Sequence, residues 1–257
     1  MGYDLEEIKK EYRLKYDHHT HTVYSRVGFY FHGKGRIIDN ARAAAKRGLD
    51  SLAITDHGPS DFYGLDPRKI PEMRRKIAEA KMTFPKLKIF LGVEADIVDT
   101  ENGLDVSPED FADYDFVNAG YHYVPKCHMI HNWLSFHMPW PDFLKEKLRK
   151  QNTERIVKAL KSNDINILTH PGDKAFIDVH AVAKACEETD TLVEINARHK
   201  HPDADDLRVF SQYDVRFVIS SDAHRPKYVG RYAESLLLAL EAGVAPERIV
   251  NIDKVQL

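Results

Sequence analysis

The chain lacks the residues and segments that mark several common classes of protein. Its 257 residues include only two cysteines, Cys127 and Cys186, too few for a disulfide framework or a four-thiolate zinc site. No apolar run approaches the roughly 18 residues that indicate a membrane span, and the charged N-terminal segment has no apolar region typical of a secretory signal. The 37 basic and 40 acidic side chains give a formal charge of −3, which makes broad binding of nucleic acid unfavourable. We therefore expect a globular cytoplasmic protein with no membrane partner.

Histidine, in contrast, is abundant, with 14 residues. It is the commonest ligand of transition metals in proteins and the usual acid–base side chain near neutral pH. The positions of the histidines relative to the predicted strands therefore carry the main functional information.

Short apolar segments alternate with longer amphipathic ones along the chain. The apolar segments are typical of strands buried on both faces, and they cover 15–18, 51–55, 88–94, 115–120, 165–169, 191–196 and 215–221. Helical spacing predicts helices over 37–49, 66–84, 143–163, 178–188, 203–213 and 233–243. This alternation predicts a parallel α/β fold that closes like a barrel, formed as a single domain by residues 1–257.

The segment 121–142 interrupts this alternation and carries both tryptophans, four histidines and three prolines. Long loops in compact domains are usually functional, so we expect this one to cover the site as a substrate-shaping lid. Three aromatic side chains would supply its apolar walls: Trp133, Phe136 and Trp140. Four others could form a second metal site, but their spacing lacks a partner cluster and disfavours it: Cys127, His128, His131 and His137.

Potential metal ligands follow six of the seven predicted strands, within the motifs DHHTH (17–21), TDH (55–57), GVEAD (92–96), GYH (120–122), THP (169–171) and DAH (222–224). In a parallel barrel the C-terminal ends of all strands lie on one face, so these residues converge. His19 and His21 are two residues apart, as are Asp222 and His224, and this spacing on an extended strand points both side chains the same way.

Each motif alone has an ordinary explanation, such as a hydrogen-bonded surface pair or a helix cap. Their joint occurrence favours a metal site, because buried imidazoles and carboxylates without a metal would leave costly unsatisfied groups. Mostly imidazole ligands suit Zn, Fe or Mn rather than Ca²⁺ or Mg²⁺. The ligands exceed what one ion can use, which indicates two or three divalent ions.

The motifs H-x-H, a further His, T-D-H, G-x-E, G-x-H, T-H-P and D-x-H, in this order over nearly the whole chain, resemble those of the PHP (polymerase and histidinol phosphatase) family. The resemblance implies a distorted seven-stranded (β/α)7 TIM-like barrel with three divalent metal ions at the C-terminal face of the strands. It implies a first metal held by His19, His21, Glu94 and Asp222, a second held by Glu94, His122 and His170, and a third held by His32, His57 and His224. His32 lies further from the H-x-H pair than the family's third histidine does.

Other residues near the motifs receive supporting roles. The resemblance implies phosphate-binding arginines at Arg198 and Arg225, and Lys34 and Arg26 in the first loop are further candidates. Asn196 could orient the end of the sixth strand or contact substrate. We expect Asp17 and Asp56 to orient ligand imidazoles through hydrogen bonds. His18 should point to the other face of its strand, where it would lie in the core or contact a metal ligand.

The resemblance implies a metal-dependent phosphoesterase in which a metal-activated hydroxide attacks phosphorus. The first hypothesis is a phosphomonoester phosphatase of the histidinol-phosphatase type, acting on a small phosphorylated substrate. A phosphodiesterase or 3′–5′ exonuclease acting on nucleotides is the alternative, disfavoured because no basic stripe tracks a nucleic acid strand. A non-catalytic metal-binding barrel is a third hypothesis, disfavoured by the complete ligand set.

Overall fold

A computed structural model describes residues 4–123 and 129–255. The strands within these ranges are β1 (Tyr12–Leu14), β2 (Tyr16–Asp17), β3 (Arg26–Val27), β4 (Tyr30–Phe31), β5 (Ser51–His57), β6 (Lys88–Asp96), β7 (Phe116–Gly120), β8 (Ile167–Leu168), β9 (Leu192–Asn196), β10 (Phe217–Ser220) and β11 (Ile252–Lys254). The α-helices are α1 (Leu5–Glu11), α2 (Ile37–Lys46), α3 (Ile70–Thr83), α4 (Met129–His137), α5 (Asp142–Ser162), α6 (Val179–Thr189), α7 (Ala204–Phe210) and α8 (Ala233–Glu241). None of the helices in the described ranges is long and apolar enough to cross a bilayer.

Seven of these strands form one parallel sheet in the order β2-β5-β6-β7-β8-β9-β10. Just beyond its two outer strands, Thr20 and Ala223 form a parallel bridge, and the His21 amide donates to the Ala223 carbonyl at 3.0 Å. The sheet is therefore nearly closed into a barrel with helices alternating along the chain. This arrangement confirms the predicted fold, including the seven predicted strands.

A buried carboxylate stabilises the seam between the first and last strands of the barrel. Asp17 accepts hydrogen bonds from the Ser221 amide at 3.1 Å, from the Gly230 amide at 2.7 Å and from the Ser221 hydroxyl. Asp56 similarly accepts bonds from the amide and hydroxyl groups of Thr22 and Ser25. The prediction that Asp17 and Asp56 orient ligand imidazoles is therefore wrong, because both carboxylates satisfy backbone and hydroxyl donors of the loops.

One predicted helix and one predicted loop differ from the structure for local reasons. The predicted helix 66–84 is divided into a 3₁₀ turn over Pro67–Lys69 and α3, which begins at Ile70 because Pro71 fits only the first helical turn. The predicted loop 121–142 contains α4, whose Ile130, Trp133 and His137 recur at helical spacing. The prediction of a wholly irregular segment is therefore wrong.

His18 lies in an aromatic pocket behind the barrel face that carries the other histidines. Its ring stacks on Tyr16 at 4.2 Å between centroids and contacts Phe90 and Phe116, and its Nε2 lies 2.8 Å from Ser51 Oγ. Burial lowers the pKa of His18 to about 3. The ring is thus a neutral member of the core, as expected.

This depressed pKa predicts a loss of stability in mild acid. In the unfolded chain an imidazole has a pKa of about 6.5. Burial of neutral His18 therefore carries no protonation penalty above that pH, and the free energy of unfolding decreases as the pH falls from there toward 3. Between pH 7.5 and 5.5 we expect the His18→Phe variant to lose about 1 kcal/mol less free energy of unfolding than the parent. Urea denaturation at both pH values measures this difference, and an equal loss in both proteins would contradict the assignment.

Candidate metal centre

The structure brings all nine predicted metal ligands together at the C-terminal face of the barrel. His19 and His21 follow β2, His57 ends β5, Glu94 lies in β6, and the rest follow β7, β8 and β10 or precede α2. The strand ends therefore converge as predicted, although the chain separates their ligands by up to about 200 residues. Most of these side chains are buried.

Glu94 lies at the centre of the cluster, surrounded by imidazole nitrogens. Its Oε2 is 3.1 Å from His19 Nε2 and 3.1 Å from His57 Nδ1, and 3.5 Å from His21 Nε2. Its Oε1 is 2.9 Å from His170 Nε2 and 3.4 Å from His122 Nε2. One carboxylate thus faces five imidazoles, an arrangement suited to a carboxylate that bridges metal ions.

Asp222 is the second carboxylate of the cluster, and its two oxygens face different groups. Oδ1 lies 3.1 Å from His21 Nε2 and 3.1 Å from His224 Nδ1. Oδ2 lies 3.0 Å from His199 Nε2 and 3.3 Å from Arg198 Nη1. The inner oxygen therefore belongs to the histidine cluster, whereas the outer one is held by two side chains that border the cavity.

His32 joins the cluster at its edge, although it lies further along the chain from the H-x-H pair than the resemblance leads one to expect. Its ring centroid lies 4.3 Å from that of His224 and 5.4 Å from that of His57, and it stacks on Tyr63 at 4.4 Å with an interplanar angle of 6°. Burial lowers the pKa of His32 to about 3, assisted by the charges of His224 and His57. A neutral imidazole is the form that can bind a metal.

The donors in this cluster fit divalent transition-metal ions better than a hydrogen-bonded network. His57 Nε2, His224 Nε2, His21 Nδ1 and His170 Nδ1 are buried without a hydrogen-bond partner, which is costly unless another ligand satisfies them. The Nε2 atoms of His19 and His21 lie only 3.1 Å apart. Ligand atoms fall within 4.8 Å of one another in the groups His21–His57–His224, His19–His21–Glu94, His57–Glu94–His122 and His170–His199–Asp222.

The charges in the cluster separate the pKa values of its members. Burial opposes ionisation of Glu94 and Asp222, but the surrounding histidines outweigh it and hold the pKa of each carboxyl well below its usual range. Burial and then the charges of His224 and His57 lower the pKa of His21 well below its usual value. Both carboxylates are therefore ionised at neutral pH, as metal ligands must be.

The backbone is strained at two members of the cluster. His170 has φ 29° and Asp222 has φ 47°, in the left-handed region that residues other than glycine rarely adopt. Such conformations cost about 1–3 kcal/mol each and persist where the surrounding structure fixes them. In both cases the strain turns a side chain at a strand end toward the cluster.

Two carboxylates outside the predicted ligand set orient the histidines: Asp96, at the end of the GVEAD motif, and Glu194, to which the sequence assigned no role. Asp96 Oδ1 accepts a hydrogen bond from His122 Nδ1 at 2.6 Å. Glu194 accepts from His19 Nδ1 at 2.7 Å and from the His170 amide at 2.8 Å. Such partners fix the ring orientation of metal-binding histidines. The position of Asp96 two residues after Glu94 on one strand could have revealed it.

A cavity of about 480 Å³ borders the cluster. His32, His57, His122 and Asp222 line it on the side of the cluster. Arg198, which is predicted to bind phosphate, also lines it, with 41% of its side chain exposed. His199, for which the sequence suggested no role, lies beside Arg198, and its Nδ1 is 2.8 Å from Asp173.

The other predicted phosphate-binding residues lie elsewhere. Lys34 and Arg225 are exposed and are not among the described residues that line the cavity. The contact of Lys34 with the cluster is through its backbone amide, which donates to the His224 carbonyl at 2.8 Å. Arg26 lies over the Phe31 ring in the β3–β4 hairpin.

Lys174 is a cation in the cavity lining to which the sequence assigned no role. Asn196 donates to Glu194 and accepts from the amides of Arg198 and His199, so it orients the end of β9 as expected.

The segment 121–142 contributes in part as predicted. Tyr123, Ile130 and Trp133 line the cavity. Phe136 instead stacks on Phe176 at 4.3 Å between centroids, and Trp140 lines a separate hollow with Leu144 and Leu148, so the prediction that these two rings form cavity walls is wrong. Two of the four residues of the disfavoured second metal site, Cys127 and His128, lie outside the described residues.

Comparisons with known proteins match this chain to one family. The family model of the PHP domain matches residues 17–200. A probable phosphatase of Thermoanaerobacter sp. (strain X514) is 28% identical over 256 residues, covering 94% of this chain and 91% of the relative. A probable phosphatase of Acetivibrio thermocellus is 27% identical, with coverage of 91% and 90%.

Among solved structures, the histidinol phosphate phosphatase of Lactococcus lactis, complexed with zinc, L-histidinol and phosphate, has a similar fold. It superposes with a TM-score of 0.62 at 18% identity, covering 90% of this chain and 94% of that one.

Proposed function

Since the chain belongs to the PHP domain family, we propose that it is a phosphatase that hydrolyses a small phosphomonoester at the cavity beside the histidine cluster. It is a phosphoric ester hydrolase, as its relatives named probable phosphatases also indicate. The observation that carries the finer proposal is the convergence of imidazoles on Glu94 and Asp222 at the edge of a cavity that also contains Arg198. Bound metal ions and a guanidinium are both groups that bind and neutralise a phosphoryl group.

The ligand set supports up to three divalent ions, with zinc, iron and manganese as the candidates. We propose Glu94 as the ligand shared between ions, since imidazoles surround both of its oxygens. Asp222 would join His19 and His21, and His32 would join His57 and His224. When bound, such ions supply positive charge for the phosphoryl oxygens and lower the pKa of water to about 7.

The chain's own residues would bind and orient the phosphate. Arg198 projects into the cavity 3.3 Å from Asp222 Oδ2, where its remaining donors can reach a phosphoryl oxygen. His199 is held between Asp173 and Asp222 and fixes the outer oxygen of Asp222. Glu194 and Asp96 hold the rings of His19 and His122, so the site is organised before substrate arrives.

Hydrolysis of a panel of esters by the metal-loaded protein tests this proposal. The purified chain would be stripped of metal, reloaded separately with zinc, manganese or ferrous iron, and assayed with p-nitrophenyl phosphate, its bis-ester and L-histidinol phosphate. We expect hydrolysis of monoesters and little of the diester. A preference for the diester would select a phosphodiesterase or nuclease, and inactivity toward every ester would favour a non-catalytic metal-binding barrel.

The double variant His19→Ala with His21→Ala tests whether the assigned ligands hold the metal. We expect it to lose both metal and activity because it removes two of the imidazoles that face Glu94 and Asp222. Unchanged metal content and rate in this variant would contradict the assigned site.

A further inference from the structure

We propose that the outer cavity binds the alcohol portion of the substrate as an uncharged aromatic ring. This inference rests on the proposed function, because it takes the phosphoryl group to lie at the histidine cluster. The cavity then leaves room for the alcohol beyond Arg198 and His32, and its lining determines which alcohol fits.

The lining beyond the cluster is mainly apolar and comes from two chain segments. Phe62 and Tyr63 follow β5, whereas Tyr123, Ile130 and Trp133 belong to the segment after β7. Phe62 is 55% exposed, Ile130 63% and Trp133 45%. Large apolar side chains gathered at a cavity beside polar groups are typical of a ligand site, since a ligand removes their surface from water.

Contacts with the metal-binding side hold the aromatic wall in place. Tyr63 stacks on His32 at 4.4 Å between centroids with nearly parallel rings, and its ring centroid lies 5.5 Å from that of Tyr30. Its backbone amide donates to Asp61 Oδ1 at 2.8 Å. A planar group attached to a phosphate at the cluster therefore meets a preformed aromatic surface, which lowers the entropic cost of binding it.

The charges of the outer cavity disfavour an ammonium group on the substrate. Lys174 and Arg198 are cations in the lining, and Lys174 pairs with Asp173 and lies 5.8 Å from the Tyr123 ring centroid. The carboxylate in the described lining beyond the cluster is Asp61, whose Oδ1 accepts from the Tyr63 amide and whose Oδ2 lies 4.0 Å from His57 Nδ1. An amino alcohol would thus meet two cations against this one carboxylate.

Binding of two phosphonates tests the ring preference without requiring turnover. Benzylphosphonate and n-propylphosphonate share the phosphoryl mimic and differ in the ring. We expect the metal-loaded protein to bind benzylphosphonate about 10- to 100-fold more tightly in calorimetry. Among substrates, benzyl phosphate should have a higher kcat/KM than n-propyl phosphate, whose alcohol is of the same primary type, and a higher kcat/KM than L-histidinol phosphate.

Two variants locate the preference. Trp133→Ala and Phe62→Ala should each reduce the benzyl preference several-fold and leave the affinity for n-propylphosphonate nearly unchanged. Phe143→Ala is the matched control, because Phe143 is 73% exposed on α5 and is not among the described residues that line the cavity.

Equal binding of the two phosphonates would overturn the inference, as would an unchanged preference in both cavity variants. A higher kcat/KM for L-histidinol phosphate than for benzyl phosphate would overturn the requirement for an uncharged ring. If benzylphosphonate binds preferentially but no monoester is hydrolysed, the ring site stands and the proposed function fails. If monoesters are hydrolysed without ring preference, the function stands and the inference fails.

Discussion

Replacement of Glu94 by glutamine is expected to remove most of the metal and nearly all of the activity. The carboxylate has five imidazoles within 3.5 Å, from His19, His21, His57, His122 and His170. The amide removes the negative charge and replaces one acceptor oxygen by a donor that faces these nitrogens. We expect kcat/KM to fall by much more than the roughly 100-fold that follows loss of an outer partner of a metal ligand.

The comparison requires metal content by elemental analysis together with kcat/KM for p-nitrophenyl phosphate. Glu79→Gln is the matched control, since Glu79 is on the solvent face of α3, where it pairs with Arg75 and Lys76. Such exposed pairs contribute little, so this variant should retain metal and activity. A Glu94→Gln protein with the parent's metal stoichiometry and rate would remove Glu94 from the centre of the site.

The second large effect is expected from a single added methyl group at Gly120. A Cβ at this position would lie 2.4 Å from Thr169 Oγ1, 3.0 Å from Glu94 Oε1 and 3.0 Å from His122 Cε1. Thr169 Oγ1 must then move, and it donates to Glu94 Oε1 at 2.8 Å, so the displacement reaches the carboxylate directly. We expect Gly120→Ala to weaken metal binding about 10- to 100-fold and to cost about 1–3 kcal/mol of stability through overpacking.

Gly92→Ala separates crowding in the barrel from damage to the site. A Cβ there would lie 2.8 Å from Thr55 Cγ2 and 2.9 Å from the Phe116 carbonyl, but not against a proposed ligand. Both variants should therefore unfold at lower urea concentration, whereas metal affinity, measured by competition with a chelator, should fall much more in Gly120→Ala. Equal metal affinities in the two variants would show that the cluster does not depend on the close contact at Gly120.

Most of the candidate ligands could be recognised in the sequence because they lie at the ends of strands with an apolar pattern. His57 and Glu94 follow runs that stay buried on both faces of the sheet, and such runs have a readable pattern. Parallel strands place their C-terminal ends together, so strand order was not needed to expect convergence. His32 was the least secure because it follows the exposed hairpin of β3 and β4, where no periodic pattern fixes its direction.

Residues that act through contacts between distant segments could not be found in this way. Glu194 holds His19 across 175 residues of sequence, and Asp17 reaches Ser221 across 204. The sequence suggested a supporting role for Asp17 and none for Glu194, because the partners of both carboxylates depend on which loops approach them. The same limit explains Lys34 and Arg225, whose charge fits phosphate although both lie outside the described lining of the cavity.

The sequence by itself determined the barrel, the face on which the candidate ligands converge and the chemical type of those ligands, because strand periodicity and the residues that follow each strand are local properties. The tertiary structure decided how those ligands share Glu94 and Asp222, and which carboxylates orient them. It also decided which aromatic rings of the segment after β7 face the cavity: Trp133 does, whereas Phe136 packs on Phe176. These choices depend on side-chain packing between segments far apart in the chain, which no local pattern specifies.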